Sequence, residues 1–171
     1  MALSAPEPIS SQHFLQDFDS GKPSLNNWLK TRALSNHKNG FTAVSVVHES
    51  QRVLGYYGLS PTTVVPNSLP RNIRTGQPPN LIPCLLLGQL AVDKNSSGRG
   101  IGTGLLKHAL ISCAQAATLI GGRALMVNAI DDEAASFWQK RGFLPTKHDP
   151  LTLFRPMSDV VASIQAKNNS D

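Results

Sequence analysis

The first periodic pattern in the chain is helical. Apolar residues recur three or four positions apart within residues 20–36, and Ser24 stands just before them as a candidate N-cap. The apolar positions are Leu25, Trp28, Leu29 and Ala33. Their spacing predicts one amphipathic helix near the start of the chain.

The next segments have the pattern of strands. Two β-rich runs at 41–47 and 52–59 are separated by a short polar stretch and predict a hairpin. The run 82–92 is apolar almost throughout, which is typical of a central strand covered on both faces. Residues 66–80 lie between them, are rich in proline and poor in apolar residues, and predict a long exposed loop.

The second half of the chain alternates between helical and strand patterns. A helix is expected to begin at a glycine-rich turn near residue 100 and to end at Gly121 and Gly122. The remaining predicted elements are a strand at 123–130, a short helix capped by Asp131 or Asp132 and ended by Gly142, and strands at 143–144 and 151–154. From Ser158 onward we expect at most one or two helical turns.

The composition is that of an ordinary globular domain. The 171 residues are 40% hydrophobic and 16% charged, and no apolar stretch reaches the length of a membrane span. The start of the chain lacks the basic and apolar regions of a secretory signal. Cys84 and Cys113 have no metal-binding spacing, so we expect them to be reduced core residues of a cytoplasmic protein. The net charge of +5 favours a polyanionic partner without identifying one.

The glycine-rich turn is the strongest chemical signal. Glycine stands at positions 98, 100, 102 and 104, directly after the predicted central strand and at the start of the next helix. Glycine lets a backbone approach a ligand closely, and the free N–H groups of a helix start bind anions. No Gly-Lys-Ser/Thr closes the turn as in a Walker A loop, and Leu105 stands where a dinucleotide fingerprint needs glycine or alanine.

Arg99, Gly102 and Gly104, following a run that ends in Asp93, resemble motif A of the GNAT N-acetyltransferase superfamily. The resemblance implies a mixed α+β fold, with a single GNAT-type domain at 1–157 and a tail at 158–171. It implies a mostly antiparallel central sheet, splayed between strands 4 and 5 and flanked by helices, and acetyl-CoA as cofactor. The implied cofactor contacts are Leu90, Ala91, Val92, Gly98, Arg99, Gly100, Ile101, Gly102, Thr103, Gly104, Leu105, Asn128 and Phe137. No metal is expected.

A narrower resemblance covers several separate segments. The segments 18–29, 53–57, 88–93 and 134–143 are similar to the acetyltransferase toxins of bacterial type II toxin–antitoxin modules. This similarity implies acetylation of the α-amine of aminoacyl-tRNA, a ribbon-helix-helix antitoxin that links the complex to operator DNA, and a homodimer. The candidate phosphate contacts are Lys22, Lys30, Arg32, Lys38, Arg71 and Arg74.

The sequence departs from the toxin pattern at two positions. Gln89 stands where these toxins usually have arginine, and Trp138 stands where they have the tyrosine presumed to act as general acid. An indole has no proton that titrates in a useful range, so Trp138 cannot replace a phenol as an acid. Water, Tyr56, Tyr57 or His108 are alternative proton sources for the leaving thiolate. The candidate catalytic residues are Trp138, Tyr56 and Asn128.

Two other functions remain open at this point. One is an acetyltransferase that acts on a protein or on a small amine. The other is a catalytically weakened member that binds CoA and an antitoxin within a regulatory complex. The tryptophan at position 138 favours the second alternative.

Overall fold

The computed structural model describes the backbone of residues 2–170 and the side chains of residues 2–166. The first half contains β1 (Glu7–Pro8), α1 (Pro23–Trp28), a π-helical turn (Leu29–Ala33), α2 (Leu34–Lys38), β2 (Ala43–Glu49), β3 (Arg52–Val64) and β4 (Ile82–Val92). The second half contains α3 (Ile101–Ile120), β5 (Ala124–Asn128), α4 (Asp132–Gln139), β6 (Leu144–Pro145), β7 (Thr152–Pro156) and α5 (Met157–Ser170).

The strands form a sheet in the order β1-β2-β3-β4-β5-β7-β6. The pairs β1–β2, β2–β3, β5–β7 and β6–β7 are antiparallel, whereas β4–β5 is parallel. The parallel ladder joins residues 85–87 to residues 125–127, and β4 runs on to Val92. The mixed fold and the mostly antiparallel sheet are therefore confirmed, while splaying beyond this ladder stays a prediction.

The chain divides into two compact units, and the first comprises residues 1–60 and 88–109. Its core packs α1 and the π-helical turn on one face of β2 and β3. The fully buried Tyr56 is central, with its ring edge-on to Phe18 at 5.6 Å and parallel to Trp28 at 5.9 Å. On the other face Gly55 makes room for Ile101 and Leu105 of α3, because a Cβ there would lie 2.8 Å from each side chain.

The second unit comprises residues 61–87 and 110–171. The segment 66–80 was predicted to be a wholly exposed loop, and this is wrong in one respect. Leu69 and Ile73 are buried among the side chains of β4, β5 and β7. Arg123 fixes the segment, since its guanidinium donates to the carbonyls of Ile73 and Thr75 at 2.7 and 3.1 Å.

Several predicted boundaries require correction. The first helix begins at Pro23 with Lys22 as its N-cap, not at Ser24, because proline suits a first helical position. Strand β3 continues past the exposed Pro61 to Val64.

The last segment also differs from its prediction of one or two helical turns. It forms the 14-residue helix α5, and Val160 on it is fully buried. The N–H of Met157 at its start donates to the carbonyl of Arg123 at 3.0 Å. This tertiary anchor explains a helix whose sequence shows little periodicity.

Other predictions are confirmed. Strand β4 has the predicted bounds, α3 ends just before Gly121, and Asp131 caps α4 by accepting the N–H of Ala134 at 2.8 Å. Both cysteines are buried and unpaired with each other. Among the described residues, no helix has both the length and the apolar character needed to cross a bilayer.

Candidate active site

Asp93 and Lys94, which lead into the glycine-rich turn, are held by hydrogen bonds and an ion pair. The Asp93 carboxylate is 7% exposed and accepts hydrogen bonds from the N–H groups of Asn95 and Asp19 at 2.9 and 3.1 Å. Lys94 forms an ion pair with Asp19 at 3.0 Å. The N–H of Gly21, together with Lys94 and Asn26, lowers the pKa of Asp19 to about 2. The turn therefore starts from a fixed position.

The turn itself has the backbone geometry of an anion site. Gly98 and Gly100 have φ angles of +82° and +75°, which residues with a side chain rarely adopt. The N–H of Gly104 donates to the carbonyl of Gly100 at 3.0 Å, which marks the first turn of α3. The N–H groups of residues 101–103 precede that bond and have no acceptor within the helix. Three donors at the positive end of a 20-residue helix suit a diphosphate.

Packing within the described chain does not explain the glycine at position 104. Its backbone is not in the positive-φ region, and a Cβ built on it would meet no described atom within 4 Å. Gly102 is similar, with only Val92 Cγ2 at 3.5 Å from such a Cβ. Both positions fit a site where a ligand approaches the backbone closely.

Arg99 occupies the turn but already has a partner. Its guanidinium donates to a carboxylate oxygen of Glu49 at 2.8 Å, and this hydrogen bond lowers the pKa of Glu49. The side chains are 42% and 23% exposed. Arg99 can contact a bound diphosphate if it shares or leaves this carboxylate.

The other predicted cofactor residues of the first unit divide into two groups. Ala91, Ile101 and Leu105 have buried side chains in the core, so only their backbone can contact a cofactor. Leu90 and Val92 are half-buried, and Thr103 is exposed. The sequence-based prediction did not separate backbone from side-chain roles, and these cofactor contacts stay predictions.

The second unit contains the predicted residues of β5 and α4. Asn128 is exposed, and its Oδ1 accepts from the Thr152 hydroxyl at 3.2 Å. Trp138 is 8% exposed and packs edge-on against Phe137 and Phe143, with ring centroids 5.0 and 5.1 Å away. Arg141 covers the Phe137 ring at 3.5 Å. Trp138 is thus part of an aromatic cluster.

The three alternative proton donors occupy different environments. The buried Tyr56 hydroxyl donates to the Leu25 carbonyl at 2.7 Å, and burial raises the pKa of Tyr56. The Tyr57 hydroxyl lies 2.5 Å from Nδ1 of His108. Tyr56 therefore has the contacts of a structural residue, whereas the Tyr57 hydroxyl is in contact with a histidine ring.

The predicted phosphate contacts fall into two sets. Four lie in the first unit: Lys22 at the N-cap of α1, Lys30 and Arg32 in the π-helical turn, and Lys38 at the end of α2. Arg71 and Arg74 of the second unit line a groove of about 680 Å³. The groove also contains Lys147 and His148, which sequence reasoning missed. Their signal was a pair of adjacent basic residues in the loop that follows the predicted strand at 143–144.

Glu7, His13 and His48 form a cluster of residue types that bind metals. The histidine nitrogens that face Glu7 carry hydrogen, however, whereas a metal ligand must not. Glu7 accepts at Oε1 from Nε2 of His13 and His48, at 2.9 and 2.6 Å. Each ring accepts a backbone N–H at Nδ1, from Ser10 at 2.9 Å and from Gln51 at 3.1 Å. Both Nε2 atoms must then carry hydrogen, so they cannot ligate a metal without breaking these bonds. The three side chains therefore form a hydrogen-bonded cluster, called the clasp below.

The mixed sheet and the glycine-rich turn between β4 and α3 fit a domain that binds a diphosphate-bearing cofactor. The model of the acetyltransferase (GNAT) domain matches residues 41–145, and the chain belongs to this acetyltransferase family. It is therefore an acyltransferase.

Similar proteins extend this match over nearly the full chain. A tRNA-acetylating toxin of Mycobacterium tuberculosis (strain ATCC 25618 / H37Rv) is 40% identical over 161 residues, which cover 94% of this chain and 96% of the toxin. The solved structure of AtaT complexed with acetyl-methionyl-tRNAfMet has a TM-score of 0.85 at 28% identity, covering 95% of this chain and 99% of AtaT. A mutant AtaT toxin bound to the C-terminus of antitoxin AtaR and acetyl-CoA has a TM-score of 0.81 at 27% identity, covering 96% and 99%.

Proposed function

We propose that this protein transfers the acetyl group of acetyl-CoA to the α-amine of aminoacyl-tRNA and thereby blocks translation. The observation that carries the proposal is the 40% identity with a tRNA-acetylating toxin over 94% of the chain. The substrate would place the reaction in the cytoplasm.

The glycine-rich turn fits the cofactor of this reaction. When bound, acetyl-CoA supplies the acetyl thioester and leaves as a thiol. The N–H groups of residues 101–103 would hold its diphosphate, and Gly104 would let the backbone approach it. The backbone of Leu90–Val92 is proposed to hold the thioester carbonyl, as the family resemblance implies.

The chain needs no strong base for this chemistry. A free α-amine has a pKa near 7.7–8.0, so an appreciable fraction is neutral at physiological pH. A thiol with a pKa of about 8.5 is a tolerable leaving group even without a general acid. Transfer can therefore proceed in a protein that has Trp138 in place of the acid, at a lower rate.

The groove of the second unit supports the proposal that the substrate is an RNA. Arg71, Arg74 and Lys147 place positive charge along one cavity of about 680 Å³. Such an arrangement binds a phosphate backbone with a strength that falls as salt rises. In the first unit, Lys22, Lys30, Arg32 and Lys38 are separately proposed as phosphate contacts.

The proposal includes further partners. We propose that a ribbon-helix-helix antitoxin neutralises the protein and connects it to operator DNA, and that the active form is a homodimer. An AtaT toxin binds the C-terminus of its antitoxin, which supports the first of these partners. Co-expression with a neighbouring short reading frame, followed by size-exclusion chromatography, tests both.

The direct test is incubation of the purified protein with labelled acetyl-CoA and a charged tRNA pool. Mass spectrometry is expected to find N-acetylated aminoacyl esters, and uncharged tRNA should take up no label. Peptides with free N-termini serve as competing acceptors. Label on peptides or small amines, with none on charged tRNA, would overturn the tRNA proposal.

A weakened member of the family is the second candidate, and the buried Trp138 favours it. Such a protein would bind CoA and the antitoxin with little turnover. Growth arrest on expression of the chain without its antitoxin would support the toxin function. Normal growth with intact acetyl-CoA binding supports the regulatory alternative.

A further inference from the structure

Gln89 places an unpaired hydrogen-bond acceptor inside the first unit. Its side-chain Oε1 is buried, and no described group donates a hydrogen bond to it. Leaving a buried acceptor unpaired destabilises a protein, so such an atom calls for an explanation.

The surroundings of this oxygen form a small recess on β3. A Cβ built on Gly58 would lie 2.7 Å from Gln89 Oε1, 3.0 Å from Thr42 Cγ2 and 3.5 Å from Trp28 Cη2. Gly58 does not have a positive φ, so its backbone conformation does not require glycine. The glycine is instead needed for space, because it lets the amide lie against bare backbone beside the Trp28 ring.

The recess has one rigid wall. The Trp28 ring stacks on Tyr56 at 5.9 Å with an interplanar angle of 5°. Tyr56 is itself fixed by the hydrogen bond from its hydroxyl to the Leu25 carbonyl. The Trp28 atom nearest the built Cβ is Cη2 at the ring edge, so the ring bounds this site sterically.

The position of Gln89 on β4 shows where the recess lies relative to the glycine-rich turn. Side chains alternate along a strand, so Gln89 and Ala91 share one face and Leu90 and Val92 the other. Ala91 packs in the core beneath α1, whereas Val92 Cγ2 is near Gly102 at the start of α3. The unpaired oxygen therefore lies on the face of β4 opposite the anion-binding turn, one residue before the segment proposed to hold the thioester.

We propose that Gln89 Oε1 accepts a hydrogen bond from the attacking amine of the acceptor substrate and orients its lone pair toward the thioester. The inference rests on the proposed function and adds the side chain that receives the amine. The nitrogen forms its bond to the acetyl carbon, and the carbon–sulfur bond breaks with its electron pair leaving on sulfur as the thiolate. The amine proton is lost to solvent, and the thiolate takes up a proton from solvent to give the thiol. Gln89 holds the nucleophile and takes no proton.

The test compares Gln89→Leu with the wild-type protein, using charged tRNA and labelled acetyl-CoA. We expect kcat/KM for the charged tRNA to fall about tenfold, the size of one lost hydrogen bond, with an unchanged Kd for acetyl-CoA. Gln115→Leu makes the same change at an exposed position of α3 and should leave both values unchanged.

Gln89→Glu is the second variant, because it keeps the oxygen acceptor and nearly the same shape. Its carboxylate would stabilise the ammonium form of the substrate, so the pH profile of kcat/KM should shift to higher pH. Equal transfer by wild type and Gln89→Leu, or equal loss of acetyl-CoA binding and transfer, would overturn the inference alone. Absence of transfer to charged tRNA by the wild type would overturn the proposed function as well.

Discussion

Gly104→Ala should make the protein more stable and less able to bind acetyl-CoA. Alanine is about 1 kcal/mol more favourable than glycine inside a helix. A Cβ at this position meets no described atom within 4 Å, so no packing cost opposes the gain. For a chain of this length, 1 kcal/mol corresponds to a rise in Tm of roughly 2–4 °C.

The loss of affinity follows from the direction of the new methyl group. In a helix the Cα–Cβ bond tilts toward the N-terminus, so the methyl would project toward the donors of residues 101–103. Displacing a phosphate oxygen from one charge-assisted hydrogen bond costs about 1.5–3 kcal/mol. We therefore expect the Kd for acetyl-CoA to rise at least about tenfold.

Thermal unfolding and isothermal titration calorimetry with acetyl-CoA measure the two effects separately. Gly121→Ala is the matched control, since Gly121 has a φ of +86° and lies at the far end of α3. It should lose about 1–2 kcal/mol of stability from strain and bind the cofactor normally. A Gly104→Ala variant that is stabilised and still binds acetyl-CoA as tightly as wild type would refute the placement of the diphosphate.

Three further predictions concern other parts of the chain. Trp138→Tyr should raise kcat for acetyl transfer, by up to about 10²-fold if the phenol restores a general acid; an equal or lower kcat would show that this position does not donate the proton. Arg74→Ala should raise KM for charged tRNA and reduce the slope of log affinity against log salt by about 0.9, which titrations at several salt concentrations would measure. Hydrogen bonds from His13 and His48 lower the pKa of Glu7, so its stabilising contribution is present above the unfolded pKa of about 4.3 and is lost as pH falls through the folded pKa. In urea titrations, the free energy of unfolding should therefore fall more below that pH for the wild type than for Glu7→Gln. Identical pH profiles of the two proteins would contradict the clasp.

Local sequence patterns were sufficient where a single physical effect decides the structure. The run 82–92, apolar almost throughout, predicted β4 with its observed bounds, because a strand covered on both faces is mostly apolar. Gly121 predicted the end of α3, because its positive φ is unfavourable for other residues. Asp131 predicted the start of α4 through its side-chain acceptor.

Tertiary contacts decided the features that the sequence did not reveal. The start of α5 is anchored at Arg123, more than 30 positions away in the chain, and no local pattern encodes this contact. Lys147 and His148 became candidates only when the chain placed them in one groove with Arg71 and Arg74. Gln89 could be recognised as unusual in the sequence, but its unpaired oxygen depends on Gly58, a residue of a different strand.

The adjacent tyrosines of β3 show how the partner of a side chain sets its chemistry. Successive strand residues point to opposite faces, so Tyr56 and Tyr57 enter different environments. The Tyr56 hydroxyl is committed to the carbonyl of Leu25, an acceptor that cannot return a proton. The Tyr57 hydroxyl instead lies 2.5 Å from Nδ1 of the His108 side chain. Of the side chains proposed as proton sources, Tyr57 and His108 are therefore in contact with each other, whereas the Tyr56 hydroxyl is already donated to a backbone carbonyl.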